Sequence, residues 1–329
     1  MKVFFRILLV ISLFVITACT PSANTEENKS GKELKIGIML SDVGLGDQSF
    51  SDAGFMGLEK ARDELGIVFD YREISETGDY ETGLRELADE GNEIVIGLGF
   101  MVQEALETVA KEYPDTDFLI VDSASEVDNV YSVIFKEQEG SYLIGYLAGM
   151  KTNSNVVGFI GGVDVPLIRK FAAGFAQGAK DANPDVQIVN EYAGDFGKPG
   201  LGATIAQGMI AKGADFIYPA AGLTGMGALK EAESNGIYSF GVDSDQYFLA
   251  EKSVVTSMVK KIDNAIFSVI KTYKETGKIP EKHIELGLKE DGVGLADIRV
   301  LELTEDEQNR LAEKIEEIQS GAIKVNTDY

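Results

Sequence analysis

Histidine and cysteine are almost missing from this chain: its 329 residues hold one of each, His283 and Cys19. Zinc centres built from Cys and His, Cys–His nucleophilic dyads and disulfide frameworks are therefore starved of ligands. Basic residues are also scarce. The 30 Lys and Arg face 54 Asp and Glu, a formal charge of −24, and such a surface repels phosphate backbones, which argues against nucleic acid as a partner. The Walker pattern Gly-x-x-x-x-Gly-Lys-Ser/Thr, a dinucleotide Gly-x-Gly-x-x-Gly in the first unit and the Gly-x-Ser-x-Gly nucleophile elbow are all absent. His283, in a Lys- and Glu-rich stretch, has no nucleophile to serve and reads as a surface residue. What the chain does have is apolar substance: with 44% hydrophobic and 26% charged residues it is not disordered, and its length suits two compact domains.

The lone cysteine has its own context. Lys2 and Arg6 form a positive start, Ile7 to Val15 is apolar except for Ser12, and the run closes on Ile16-Thr17-Ala18-Cys19. This is the pattern of a secretory signal ending in a lipobox, and the apolar run is shorter than the roughly 20 residues a membrane-spanning helix needs. Residues 1–18 are predicted to be a signal peptide and Cys19 the lipidated first residue of the mature chain. Residues 19–33, rich in Ser, Asn, Glu, Gly and Lys, are predicted to be a flexible tether. The protein is then extracytoplasmic, lipid-anchored to the cell membrane.

From Lys35 onward, short apolar runs alternate with helical patterns. Strands are predicted at 35–40, 67–71, 94–98, 118–121, 130–134, 156–160, 186–192, 216–218, 238–242 and 254–259. Amphipathic helices fall between most of them, the first carrying Phe55, Leu58, Ala61 and Leu65 on one face. Continuous apolar strands alternating with helices make an α/β fold with parallel sheets covered by helices. An internal echo divides the chain further. Ile94-Val95-Ile96-Gly97-Leu98-Gly99 leads through a helix to Phe118-Leu119-Ile120-Val121-Asp122-Ser123, and Ile217-Tyr218-Pro219-Ala220-Ala221-Gly222 leads to Phe240-Gly241-Val242-Asp243-Ser244. Two similar halves place Asp122 and Asp243 at equivalent positions, past the carboxyl ends of parallel strands, where open α/β sheets bind ligands. The Gly-rich segments after strands, Gly222 among them, read as tight turns that let backbone approach a ligand.

The segment Ser41-Asp42-Val43-Gly44-Leu45-Gly46-Asp47-Gln48-Ser49-Phe50-Ser51 resembles the signature of the basic membrane protein family, the purine nucleoside receptor group of substrate-binding lipoproteins. The likeness continues through Phe118 to Asp122, Phe135 to Gly145, Gly158 to Gly162, Gly241 to Gln246 and Thr256 to Lys261, in the family's order. It implies a type I periplasmic-binding-protein fold: two Rossmann-like lobes joined by crossover hinge strands, closing on a ligand for an ABC-type permease. The lobes would comprise 34–135 plus 258–279 and 136–257 plus 280–329. By the same resemblance Asp42 is the family aspartate after the first strand, Phe50 the ring that stacks on a base, and Phe196 a second-lobe aromatic. Asp122 and Asp243 are cleft carboxylates, Asp243 accepting from ribose hydroxyls, and Lys260 is the cleft lysine. Ser51 stands where the signature has asparagine, and Gln48 where it has lysine.

A nucleoside pairs an aromatic base with a vicinal diol and carries no phosphate. Its receptor wants stacking rings and carboxylates that accept from hydroxyls, with no arginine cluster. Each residue also has a plainer reading: Phe50 as helix-start core, Asp42 as a turn cap, Lys260 as the partner of Asp263 on a helix surface. Phe171 and Phe175, spaced with Ile168 and Ala179, read as core. The function these features favour is a non-catalytic lipoprotein that binds a nucleoside, purine in type, without cofactor, for an ABC importer. The alternatives are a receptor or sensor for another small polar ligand and, last, a secreted nucleosidase using Asp122 or Asp243 as acid or base.

Overall fold

The computed structural model describes residues 33–329. The predicted signal peptide, Cys19 and the tether as far as Lys32 lie outside the described residues. The first half runs β1 (Lys35–Met39), α1 (Phe50–Leu65), β2 (Val68–Arg72), α2 (Ile74–Thr77), α3 (Tyr80–Asp89), β3 (Ile94–Leu98), α4 (Gln103–Glu112), β4 (Asp117–Val121) and β5 (Val130–Phe135). The second runs α5 (Glu137–Lys151), β6 (Val156–Gly161), α6 (Pro166–Ala182), β7 (Gln187–Tyr192), α7 (Pro199–Ala211), β8 (Phe216–Ala220), α8 (Gly222–Ser234), β9 (Tyr238–Asp243) and β10 (Val254–Lys260). The chain closes with α9 (Ile262–Thr276), β11 (His283–Leu286), β12 (Val293–Leu295) and α10 (Glu305–Gln319).

Two six-stranded sheets result, ordered β11-β5-β4-β3-β1-β2 and β12-β10-β9-β8-β6-β7. The orders correspond strand for strand, which is the structural form of the echo seen in the sequence. All pairings are parallel except that of β12 with β10. The central strands are apolar along their whole length because helices cover both faces: every residue of β3 and β8 is buried. Helix α1 buries Ala53, Gly54, Gly57, Leu58 and Ala61, with Gly54 facing Leu98 of the sheet and Gly57 the backbone of α9, and stops at Gly66, whose φ of +65° provides the left-handed turn its N–H needs to reach the Arg62 carbonyl.

The chain crosses between the lobes three times: after β5, after β10 and between β11 and β12. The sequence assigns residues 280–329 to the second lobe, yet β11 pairs in parallel with β5 at the edge of the first sheet. This four-residue strand carries His283 and Glu285 and lacks the apolar run that marks the other strands. In the second lobe, α5 and α6 pack backbone against backbone. A Cβ at Gly145 would lie 2.0 Å from the Phe175 carbonyl oxygen, and one at Gly178 would lie 2.0 Å from that of Tyr142. Only glycine permits so close an approach.

Candidate functional site: an interlobe cavity

The carboxyl edges of the two sheets face each other across a cavity of about 660 Å³, counting its open mouth. Symmetry-equivalent residues furnish its charged end. Asp122 follows β4 with φ +70° and Asp243 ends β9 with φ +63°, a left-handed conformation that aspartate tolerates better than most residues. Each turn ends its strand on a carboxylate that lines the cavity. Lys260, the last residue of β10, is 2% exposed and places its ammonium 2.5 Å from Asp122 Oδ2 and 3.1 Å from Glu137 Oε1. Its Nζ also lies 5.2 Å, 5.0 Å and 5.9 Å from the ring centres of Phe50, Phe135 and Phe171, where ring faces favour a cation.

Three carboxylates thus crowd one buried ammonium. Burial opposes the charge on Lys260, but Asp122, Glu137 and Asp243 outweigh it and push its pKa up, so the cation is secure. The acids carry the strain. Burial pushes Asp122 up to about 6 against the pull of Lys260, with Glu137 adding to the rise. Asp243 is raised by burial as well, against Lys260 and the hydroxyl of Ser49. Asp122 Oδ1 is buried and has no hydrogen-bond partner within the protein. A buried acceptor left open costs stability, and a ligand hydroxyl would satisfy it.

Phe50 is positioned by the loop after β1. Asp47, almost fully buried, accepts from the N–H groups of Ser49, Ser51 and Asp52 at 2.9, 2.8 and 3.2 Å, while Asp52 accepts from those of Gly46 and Gln48. This anchors the start of α1 and sets the Phe50 ring over Gly99, where a Cβ would come within 3.3 Å of it. Across the cavity Phe196 lies so close to Gly162 that a Cβ there would sit 2.1 Å from the ring, and it also packs on Gly222. Phe100, Met101, Leu167, Ile168 and Phe171 complete an apolar wall. Asp42 stands at the exposed side with Tyr80, its pKa raised by the surrounding walls and by Asp195.

The lobes are also latched directly. Ser49 occupies the N-cap position of α1 yet makes no capping bond. Its hydroxyl donates to Asp243 Oδ2 at 2.7 Å, and Gln246 Nε2 donates to the Gln48 carbonyl at 3.1 Å. The arrangement can enclose a molecule with a flat apolar part and several hydroxyls. It offers no nucleophile paired to a base, and among the described residues no cluster of His, Cys, Asp and Glu could hold a metal ion.

Residues 35–328 match the Bmp family, described as ABC transporter substrate-binding protein, PnrA-like. The chain belongs to that family. As a Bmp protein it is the substrate-binding component of an ABC transporter and not an enzyme. A CD4+ T-cell-stimulating antigen of Listeria innocua is 34% identical over 97% of this chain and 96% of its own length. Basic membrane protein D of Borreliella burgdorferi is also 34% identical, over 97% and 94%. A Lactococcus lactis protein named ABC transporter nucleoside-binding protein BmpA is 32% identical over 86% and 88%. Among solved structures, an ABC transporter solute-binding protein of Aeropyrum pernix superposes with a TM-score of 0.81 at 29% identity, covering 89% of this chain and 93% of that one. The lac repressor, at 16% identity and a TM-score of 0.61 over 86% and 99%, shares the fold alone.

Within this Bmp protein the cavity brings together Asp42, Phe50, Asp122, Phe196, Gly222, Asp243 and Lys260. Ser51 lies elsewhere: fully buried in the first turn of α1, it shares a 2.7 Å hydrogen bond with the Ser41 hydroxyl. Lys260 faces Asp122 and Glu137. Phe171 lines the cavity as well as the core, because the start of α6 abuts the cavity, while Phe175 one turn on is wholly internal. Tyr80, Glu137 and Ser49 carried no expectation. Glu137 had a visible signal, a carboxylate just past a strand end in the segment shared with the family; Tyr80 had none, since helix starts after short connections are numerous.

Proposed function

We propose that this protein captures a purine nucleoside in the interlobe cavity and delivers it to an ABC permease, held at the outer face of the membrane by lipid on Cys19. The observation that carries this reading is the pairing of aromatic faces, Phe50 and Phe196, with the buried carboxylate of Asp122 and the half-buried one of Asp243 around Lys260. Rings suit a base, and carboxylates with open acceptors suit a diol. The Lactococcus relative, named for nucleoside binding, supports the same ligand class. Closure would turn on the three crossings between lobes, the Ser49–Asp243 bond marking the closed form. The lipobox ending at Cys19 supports the anchor; membrane retention that survives Cys19→Ser refutes it. Calorimetric titration with nucleosides, free bases, sugars and amino acids, with product analysis, tests the ligand. Binding of nucleosides alone supports the reading, binding of another class replaces it, and release of free base would mean catalysis.

A further inference from the structure

The cavity has a second polar end that the diol-binding groups do not explain. Along the first sheet's edge the order runs from β4, which leads to Asp122, through β3 to β1, which leads to Asp42, and then to β2, beyond which Tyr80 opens α3. Neighbouring strands lie about 4.8 Å apart, so the ends of β4 and β1, which lead to Asp122 and Asp42, are roughly 10 Å apart, a separation on the scale of a nucleoside's length, and α3 packs over β1 and β2 so that Tyr80 stands beside Asp42. A ligand with its sugar at Asp122, Asp243 and Lys260 and its base between the rings would therefore turn the base's outer edge to Asp42 and Tyr80. The Tyr80 hydroxyl is buried, lines the cavity and makes no hydrogen bond within the protein. Burial and the nearby Asp42 carboxylate push its pKa up, so it remains a donor. The end of the cavity thus shows one hydroxyl donor beside two carboxylate acceptors.

We infer that Tyr80 is a specificity-determining residue, donating to the 6-oxygen of a guanine base whose N1–H and 2-amino group are accepted by Asp42. Guanine presents one acceptor followed by two donors, which matches the hydroxyl and the two carboxylate oxygens; adenine presents a donor and then an acceptor, and sets a lone pair against the carboxylate. The inference rests on the nucleoside reading.

The test is isothermal titration of wild type and Tyr80→Phe with guanosine, adenosine and 2-aminopurine riboside, which lacks the 6-oxygen. Wild type is expected to bind guanosine at least about tenfold more tightly than adenosine. Tyr80→Phe is expected to weaken guanosine about tenfold and to leave 2-aminopurine riboside unchanged, with the unliganded melting temperature unaltered. Equal wild-type affinity for guanosine and adenosine, or a Tyr80→Phe loss that is the same for guanosine and 2-aminopurine riboside, would overturn the assignment while leaving nucleoside binding intact. Wild type that binds no nucleoside at all removes both.

Discussion

Replacing Lys260 by methionine keeps an unbranched side chain one atom shorter and deletes its charge, leaving Asp122, Glu137 and Asp243 around an apolar thioether. Lys260 sits 2.5 Å from Asp122 and 3.1 Å from Glu137 with only 2% of its surface exposed. Removing one partner of a buried ion pair costs about 3–5 kcal/mol, because the other charge is left without compensation. The carboxylates have an escape, which is to protonate. A carboxyl whose folded pKa lies above its unfolded value destabilises the fold when ionised, so stability is lost as pH rises from about 4 through the folded pKa. Asp122 already lies up at about 6 with its cation in place, and without Lys260 it moves higher. Each affected group adds at most ~1.4 kcal/mol of penalty per pH unit across that window. Urea unfolding of Lys260→Met against wild type should therefore show a loss of about 3–5 kcal/mol at pH 8 that shrinks to roughly 1–2 kcal/mol at pH 5, with the denaturant slope unchanged. A loss below about 1 kcal/mol at pH 8, or one of equal size at both pH values, would refute the account of three acids held by one ammonium.

The close packing of α5 on α6 predicts that Gly178→Ala costs about 3 kcal/mol or more, since its Cβ would meet the Tyr142 carbonyl at 2.0 Å. Gly200→Ala, in open space on α7, should be neutral or slightly stabilising; equal melting temperatures for the two variants would contradict the packing argument. Ser49→Ala removes the 2.7 Å bond to Asp243 but no helix cap. Ligand affinity should drop about five- to tenfold, with small-angle scattering showing a larger unliganded radius and thermal stability holding within about 1 kcal/mol; unchanged affinity and radius would show that the bond does not favour closure.

Most of the fold could be read because parallel strands buried on both faces leave apolar runs, and β1, β3, β4, β6 and β9 are found within a residue or two of their expected bounds. The short β11 and β12 escaped because edge strands with one partner need no such run: β11 reads His-Ile-Glu-Leu. The echo foretold the equivalence of Asp122 and Asp243, which the matching sheet orders and their shared positive φ make concrete. The site residues at strand ends were legible for that reason. Tyr80, Phe171 and Ser49 were not, since their roles depend on which helix start abuts the cavity, and on a hydroxyl reaching across from Ser49 to Asp243 instead of back to its own helix.

The most direct test of the central claim is calorimetric titration of guanosine into the soluble chain and into its Asp243→Asn variant. The account predicts one site per wild-type chain and at least about a tenfold loss of affinity in the variant, whose side chain exchanges an acceptor for a donor at the diol. No measurable binding of any nucleoside to wild type, or undiminished affinity in Asp243→Asn, would contradict it.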